Sequence, residues 1–304
     1  MPALSTSVWP LVLRREFTAA GYLLAWRLVG AAPEPAVRWL SDRLADVVSD
    51  HGRGMEQLRR NLSRVVGPEN VTRALVRDAV RSYARYWREA FRLASIVDDP
   101  RLHARLDAGV SGRAAFERSL AAGRGVILTL PHSGNWDMAG MWLVANYGRF
   151  ATVAERVKPE VLFKAFVDFR TSLGFEVIAL TGSAVPPYTR LREVLEAGGV
   201  VCLLGERDLS GRGVDVSFFG ETTTMPAGPA KLAVDTGAAL HVVHSWFEGD
   251  GWGLSASEPI EVTTVEATTQ RVADAFAANI AAHPEDWHLL QPLWPGDRRS
   301  KRAK

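Results

Sequence analysis

The stretch Gly125-Val-Ile-Leu-Thr-Leu-Pro131, followed by His132-Ser-Gly-Asn-Trp-Asp137, decides the fold of this chain. Its first part is a short apolar run bounded by Gly125 and Pro131, which predicts a buried strand. A Ser-Gly-Asn turn follows, and residues 136–147 carry the apolar periodicity of a helix. His132 is therefore predicted to lie just past the carboxyl end of a strand, where open α/β sheets bind their ligands.

The composition indicates one globular domain spanning residues 1–304. The chain is 47% hydrophobic and 23% charged, and its net charge of +2 gives no argument for a nucleic-acid partner. The single cysteine, Cys202, lies in an apolar run, which excludes a cysteine zinc site and predicts a buried, unreactive thiol. No histidines and carboxylates have the spacing of a zinc site, so we expect neither a metal nor another cofactor.

Residues 1–97 are predicted to form a helical front. Within it, residues 8–29 are apolar, but the longest uncharged piece, residues 17–26, is about half the ~20 residues that cross a bilayer. Tryptophans, a tyrosine and arginines suit a helix that lies in a membrane interface, although an ordinary core helix explains the pattern equally well. The basic tail, residues 298–304, can lean on anionic lipid or can simply be solvated.

From Ser111 onwards the pattern alternates between helices and short strands, and residues 112–294 are predicted to form an α/β core. Strands are expected at residues 125–130, 150–154, 175–180 and 200–204, with helices at 136–147, 159–173 and 188–197 between them. Such alternation predicts βαβ units and hence a central, mostly parallel mixed sheet flanked by helices.

Glu206 follows its predicted strand as His132 follows the strand at residues 125–130. Because the carboxyl ends of parallel strands lie along one edge of a sheet, these two side chains can face one crevice. A carboxylate that accepts the Nδ1 proton of an imidazole fixes its tautomer and supports the imidazolium cation. Asp137, in the first turn of the next helix, is the alternative partner. A hydrogen-bonded histidine without any chemistry is the alternative to both.

Several segments resemble the glycerolipid and lipid A acyltransferases, most closely the branch that acylates lipid A. The first is Leu130-Pro-His-Ser-Gly-Asn-Trp-Asp137, in which four residues separate a histidine from an acid. Three more fit this branch: Phe169-Arg170 before Gly174-Phe-Glu-Val-Ile178, Gly205-Glu-Arg-Asp208 running to Val216-Ser-Phe-Phe-Gly220, and Pro229-Ala-Lys-Leu-Ala-Val-Asp-Thr-Gly-Ala238. Four other segments are similar to phosphatidylinositol mannoside acyltransferases: Arg59-Arg-Asn-Leu62, Ser82-Tyr-Ala-Arg-Tyr-Trp87, Phe91-Arg-Leu93 and Pro284-Glu-Asp-Trp287.

The resemblance implies transfer of a long acyl chain from acyl-CoA to a sugar hydroxyl of a membrane glycolipid, with the mannose of a phosphatidylinositol mannoside as the expected acceptor. His132 would act as general base on that hydroxyl, without a covalent acyl-enzyme. Glu206, ranked above Asp137, would orient His132. Arg170 would bind the acceptor or the developing oxyanion, and Glu155 would hydrogen-bond sugar hydroxyls.

The implied partners are acyl-CoA, the glycolipid and an anionic membrane surface, with the protein bound peripherally at the cytoplasmic face of the cell membrane. An acyl chain needs an apolar groove, and the helix after the signature offers candidates to line it: Met138, Met141, Trp142 and Val144. Three alternatives stay open: an acyltransferase for a lipid A-like or other glycolipid acceptor, an acyl-CoA or lipid hydrolase, and a non-catalytic lipid carrier.

Overall fold

A computed structural model of the chain describes residues 21, 26, 28–209 and 211–298. Its centre is a seven-stranded sheet of β1 (Val110–Ser111), β2 (Val126–Leu130), β3 (Ala151–Ala154), β4 (Glu176–Ala179), β5 (Val200–Leu204), β8 (Ala239–Glu248) and β9 (Gly251–Ala256). Strands β6 (Val214–Phe218) and β7 (Glu221–Met225) form a separate antiparallel hairpin.

The strand order in the sheet is β1-β9-β8-β2-β5-β3-β4. The neighbours from β8 to β4 are all parallel, whereas β9 runs antiparallel to β8 and pairs in parallel with β1. The predicted α/β class with a mostly parallel, mixed sheet is therefore confirmed.

Strand β2 lies in the middle of the sheet because both of its faces are apolar. All five of its residues are buried, as expected for a parallel strand that is covered on both sides. Ile127 packs in one core cluster with Val201 and Phe276, whereas Leu128 and Leu130 pack in a second cluster on the other face. Each such aliphatic side chain contributes about 1.5–3 kcal/mol of burial free energy.

The described helices follow the breaks expected from glycine and proline. The helical front comprises α1 (Glu34–Val48), α2 (Glu56–Val66), a 3₁₀ turn (Pro68–Asn70), α3 (Arg73–Ile96) and α4 (Pro100–Ala108). The remaining helices are α5 (Arg113–Ala121), α6 (Trp136–Tyr147), α7 (Glu160–Ser172), α8 (Pro187–Glu196), α9 (Gly228–Thr236), α10 (Val265–Ala282), a 3₁₀ turn (Pro284–Asp286) and α11 (Pro295–Arg298). Thr72 caps the start of helix α3, because its hydroxyl accepts the backbone N–H of Leu75 at 3.1 Å.

Helix α1 carries an apolar stripe that faces away from the core. Trp39, Leu40, Leu44 and Val47 repeat at helical spacing and are 51–70% exposed. The periodicity fixes the helix, but it does not say which partner, if any, covers the stripe.

The predicted membrane-interface helix, residues 8–29, lies almost wholly outside the described residues, as does the basic tail from residue 299. Trp26 is described, and its ring packs 5.2 Å from Phe91 and 5.2 Å from Phe169. Among the described helices, none has the length and hydropathy that a bilayer span requires.

His241 and His244 of β8 are both buried. Within the described residues, neither ring nitrogen of His244 has a hydrogen-bond partner. Burial, assisted by the nearby His283, lowers the pKa of His244 to about 3.

We expect the His244→Leu variant to flatten the acid dependence of stability. An unfolded histidine has a pKa of about 6.5, so the neutral buried ring stabilises the fold above that pH. The contribution is lost as the pH falls from about 6.5 towards 3, by up to about 1.4 kcal/mol per pH unit. Urea unfolding at pH 7, 6 and 5 measures this slope, and equal slopes for wild type and variant would contradict the assignment.

Candidate active site

His132 and Glu206 come together because their strands are in register. In the parallel pair β2 and β5, Leu130 lies opposite Leu204. His132 comes two residues after Leu130, and Glu206 comes two residues after Leu204. The Nδ1 atom of His132 lies 2.6 Å from Oε1 of Glu206, and the backbone N–H of His132 donates to the same oxygen at 2.8 Å. The carboxylate thus holds the ring so that Nε2 is the nitrogen left for chemistry.

The two members of this pair differ in access to solvent. The His132 side chain is 28% exposed, whereas the Glu206 side chain is completely buried. The second carboxylate oxygen, Oε2, is buried and has no hydrogen-bond partner within the described part of the chain. A buried and incompletely satisfied carboxylate attracts a positive charge on the adjacent ring more strongly than a solvated one does.

Four contacts fix the loop that carries His132. The carbonyl of His132 accepts the backbone N–H of His288 at 2.8 Å, and the backbone N–H of Gly134 donates to the Asp286 carbonyl at 3.0 Å. The backbone N–H of Asn135 donates to the Ser245 hydroxyl at 3.0 Å, and the Asn135 side chain caps helix α6. Gly134 has φ +56° and abuts the Ser245 carbonyl, where a Cβ would lie only 2.5 Å away.

The same loop is tied to the helical front through Glu89 of α3. The buried Glu89 carboxylate accepts the Asn135 side-chain amide at 2.8 Å and the Trp252 indole N–H at 2.8 Å. Its other oxygen accepts Nε of Arg85 at 2.7 Å. Sequence inspection missed Glu89, because nothing in its local pattern distinguishes it from a surface acid on a helix.

His288, which sequence inspection also missed, belongs to a second buried network. The Ser82 hydroxyl donates its single proton to Asp286 at 2.6 Å. Its oxygen therefore accepts a hydrogen bond from the Nε2–H group of His288 at 2.8 Å. Burial and the nearby His132 lower the pKa of His288 to about 3, so the ring is neutral. The resemblance segments around Ser82 and Trp287 mark this neighbourhood, but they do not single out the histidine.

Asp137 pairs with Arg170 and Tyr86. Nε of Arg170 donates to Oδ1 at 2.8 Å, a second guanidinium N–H donates to Oδ2 at 3.3 Å, and the Tyr86 hydroxyl donates to Oδ2 at 3.0 Å. Burial and the Asp137 carboxylate raise the pKa of Tyr86 well above its ordinary value. Burial opposes the charge on Arg170, but Asp137 outweighs it and raises the pKa of the guanidinium. Of the two acids considered as partners of His132, Glu206 contacts the ring and Asp137 serves this triad.

We expect Asp137→Asn to destabilise the fold by about 3–5 kcal/mol, because it leaves the largely buried Arg170 guanidinium without its counter-charge. Urea unfolding measures the loss. The matched control is Asp78→Asn in the exposed Arg77–Asp78 pair, for which a change of less than about 1 kcal/mol is expected. Similar losses of unfolding free energy in the two variants would show that the buried pair stabilises the fold no more than the exposed pair does.

Glu155 lies at the same edge of the sheet as His132. It directly follows strand β3, which is the neighbour of β5, and its side chain is exposed. The structure therefore leaves it accessible from solvent.

An apolar slot lies between one face of the sheet and helix α6. Its cavity volume is about 110 Å³, and one side of it is open to solvent. Alternate residues of β2 and β5 form its floor and small or apolar residues of α6 form its roof: Leu128, Leu130, Cys202, Leu204, Gly140 and Leu143. Trp136 joins the slot to the pair, because it lines the slot and its ring packs edge to face with His132 at 5.4 Å.

Of the four residues expected to line a groove, Trp142 lines the slot, whereas Met138 and Met141 are buried in the core and Val144 is half-buried outside the slot lining. Cys202 lies in the slot wall, and burial raises the pKa of its thiol. Among the described residues, no cluster of three or more histidine, cysteine or acidic side chains could hold a metal ion.

This arrangement suits acyl transfer, because an imidazole with a free Nε2 lies beside an apolar slot. A family model described as bacterial lipid A biosynthesis acyltransferase matches residues 9–295. The chain belongs to this family of acyltransferases, as its sequence motifs predicted.

Two proteins with the same name are similar to this chain over nearly its whole length. The chain is 54% identical to the phosphatidylinositol mannoside acyltransferase of Mycolicibacterium smegmatis over 291 residues, which cover 94% of each protein. It is 52% identical to the protein of the same name from Mycobacterium tuberculosis, over 95% of this chain and 93% of the relative. The likeness thus includes the helical front as well as the sheet.

Proposed function

We propose that this protein transfers a long, palmitoyl-type acyl chain from acyl-CoA to a mannose hydroxyl of a phosphatidylinositol mannoside. The reaction would take place at the cytoplasmic face of the cell membrane, with the protein bound peripherally to an anionic surface. The observation that carries the proposal is the His132–Glu206 pair beside the apolar slot, joined to it by Trp136. The names of the two relatives support the acceptor.

The chemistry follows from the free Nε2 of His132. This nitrogen takes the proton of the acceptor hydroxyl while the hydroxyl oxygen attacks the thioester carbonyl, and Glu206 stabilises the imidazolium that forms. When the tetrahedral intermediate collapses, the C–S bond breaks and the imidazolium returns its proton to the departing CoA sulfur. The products are an ester and a free thiol, and no bond to the protein forms.

Arg170 and Glu155 have supporting roles in this proposal. Arg170 lines the slot next to Asp137, so its guanidinium can bind the acceptor or offset charge on the thioester oxygen. The exposed Glu155 carboxylate can accept hydrogen bonds from sugar hydroxyls at the strand edge.

The direct test is a radiolabelled acyl-CoA assay with a small panel of glycolipid acceptors. The expected result is label in the mannoside, dependent on the acceptor. Label found only in a lipid A-like glycolipid would show that the acceptor is not the mannoside. Free fatty acid formed at the same rate with and without acceptor would indicate a hydrolase.

We expect Cys202→Phe to shorten the acyl chain that the slot accepts. The added ring projects from the slot wall, so transfer from palmitoyl-CoA should fall by more than about 10-fold while transfer from butyryl-CoA persists. The same bulk added at exposed Val234, as Val234→Phe, is the control and should leave the chain-length profile unchanged. An unchanged profile for Cys202→Phe would mean that the chain binds elsewhere.

A further inference from the structure

Exposed apolar side chains surround one part of the sheet edge that carries the catalytic pair. They follow three neighbouring strands: Val157 and Val161 come after β3, Leu180 and Val185 after β4, and Leu209 after β5. Each is 37–47% exposed. We refer to these five residues as the apolar rim.

Backbone and side-chain contacts join two of the loops that form the rim. The backbone N–H of Leu180 donates to the Ala154 carbonyl at 2.9 Å. The Arg156 guanidinium donates to the Thr181 carbonyl at 3.2 Å. The third loop starts from β5, between β3 and the strand that leads to His132. The rim is therefore continuous with the edge at which His132 and Glu206 meet.

Cations lie among these apolar residues. Lys158 and Lys164 are exposed, Arg207 is half-buried, and none of the three forms an ion pair in the part of the chain that the structure describes. Two of the nearby acids have partners, because Glu160 binds Arg156 at 2.7 Å and Asp208 accepts the backbone N–H of Gly213 at 2.8 Å. Glu155 and Asp168, the latter four residues after Lys164 on α7, are exposed carboxylates.

We propose that the apolar rim is the surface that docks on an anionic bilayer, so that the carboxyl edge of the sheet faces the lipid headgroups. Aliphatic side chains that enter the headgroup region and cations that bind anionic lipid are the two parts of an interfacial site. The inference rests on the proposed function, because an acceptor that stays in the membrane must reach His132 from this edge.

The stripe on α1 is the competing surface. Trp39, Leu40, Leu44 and Val47 are more exposed than the rim, and Arg43 lies over the Trp39 ring at 5.7 Å. The rim is preferred because it adjoins the strand ends that hold the catalytic pair. The two surfaces make opposite predictions in the experiments below.

The first experiment measures binding of the full chain to phosphatidylglycerol-containing vesicles by cosedimentation at low salt. Lys158→Ala combined with Lys164→Ala should weaken binding by about 10- to 30-fold, since each cation near an anionic surface contributes about 1 kcal/mol. Arg124→Ala combined with Arg149→Ala is the matched control. These arginines are also exposed and unpaired within the described chain, but they precede β2 and β3 at the opposite edge. Equal effects of the two double variants would overturn the proposal.

The second experiment locates the contact directly. An environment-sensitive fluorophore is attached at Leu180→Cys or at Val47→Cys, each in a Cys202→Ala background, which removes the only native thiol. On anionic vesicles the label at position 180 should shift to the blue and the label at position 47 should not. A blue shift at position 47 alone, or at neither position, would overturn the proposal that the apolar rim contacts the bilayer.

The outcomes separate this inference from the proposed function. If the wild type acylates the mannoside but the double lysine variant binds vesicles normally, only the docking surface is wrong. If the double lysine variant loses vesicle binding but no acyl transfer by the wild type to any acceptor is found, the docking surface stands and the proposed function is wrong. Transfer to an acceptor dispersed in detergent should persist in the double lysine variant.

Discussion

Replacing His132 with alanine is expected to lower acyl transfer by about 10²- to 10⁴-fold, the usual contribution of a general base. The imidazole is the only titratable ring that contacts Glu206 in the described chain, and it borders the slot through Trp136. Initial rates with labelled palmitoyl-CoA and the mannoside acceptor measure the loss.

The His132→Ala variant should keep its fold and its donor site. Its side chain is partly exposed, and the slot is lined by other residues, so thermal stability and palmitoyl-CoA binding should change little. Full transfer activity in this variant would remove the proposed base and favour a lipid carrier.

The second large effect is expected for Glu206→Gln, which should reduce transfer by at least about 10²-fold. The neutral amide cannot balance the imidazolium, and its NH₂ group competes for the position that accepts the Nδ1 proton. Stability should respond in the opposite sense. The carboxylate is fully buried with one unsatisfied oxygen, so neutralising it should leave the melting temperature unchanged or raise it.

A double variant tests whether the two residues act as one unit. Groups that act together are strongly non-additive, so His132→Ala with Glu206→Gln should be no slower than His132→Ala alone. Losses that multiply would show that Glu206 contributes independently of the ring. In that case its role would lie in the structure of the edge and not in the charge of the base.

The parallel sheet and its edge were predictable because local signals and topology agree. Strand β5 and helix α6 have the bounds that apolar runs and turn residues indicate. His132 and Glu206 meet because each comes two residues after the end of its strand, and the two strands pair in parallel. The position of each residue just past a predicted strand can be read from the sequence. The resemblance added an expected chemistry to a pair that spacing had already identified.

The partners that side chains find in the tertiary structure were harder to predict from the sequence. Asp137 is near His132 along the chain, yet it binds Arg170 from α7 and Tyr86 from α3, and no local rule foretells such long-range pairing. Glu89 was equally hard to identify, because two of its three donors, Asn135 and Trp252, come from elements distant in sequence. The outward-facing stripe on α1 shows that periodicity identifies a helical face without specifying its neighbour.

The bond between Glu89 and Asn135 has a consequence for dissecting this enzyme. A fragment that begins near residue 110 would retain every strand, His132 and Glu206. It would lose the acid that accepts the Asn135 amide and the Trp252 indole N–H, so both donors would lose their protein partner. The front helices therefore brace the turn that carries His132, and removing them should lower the rate of acyl transfer.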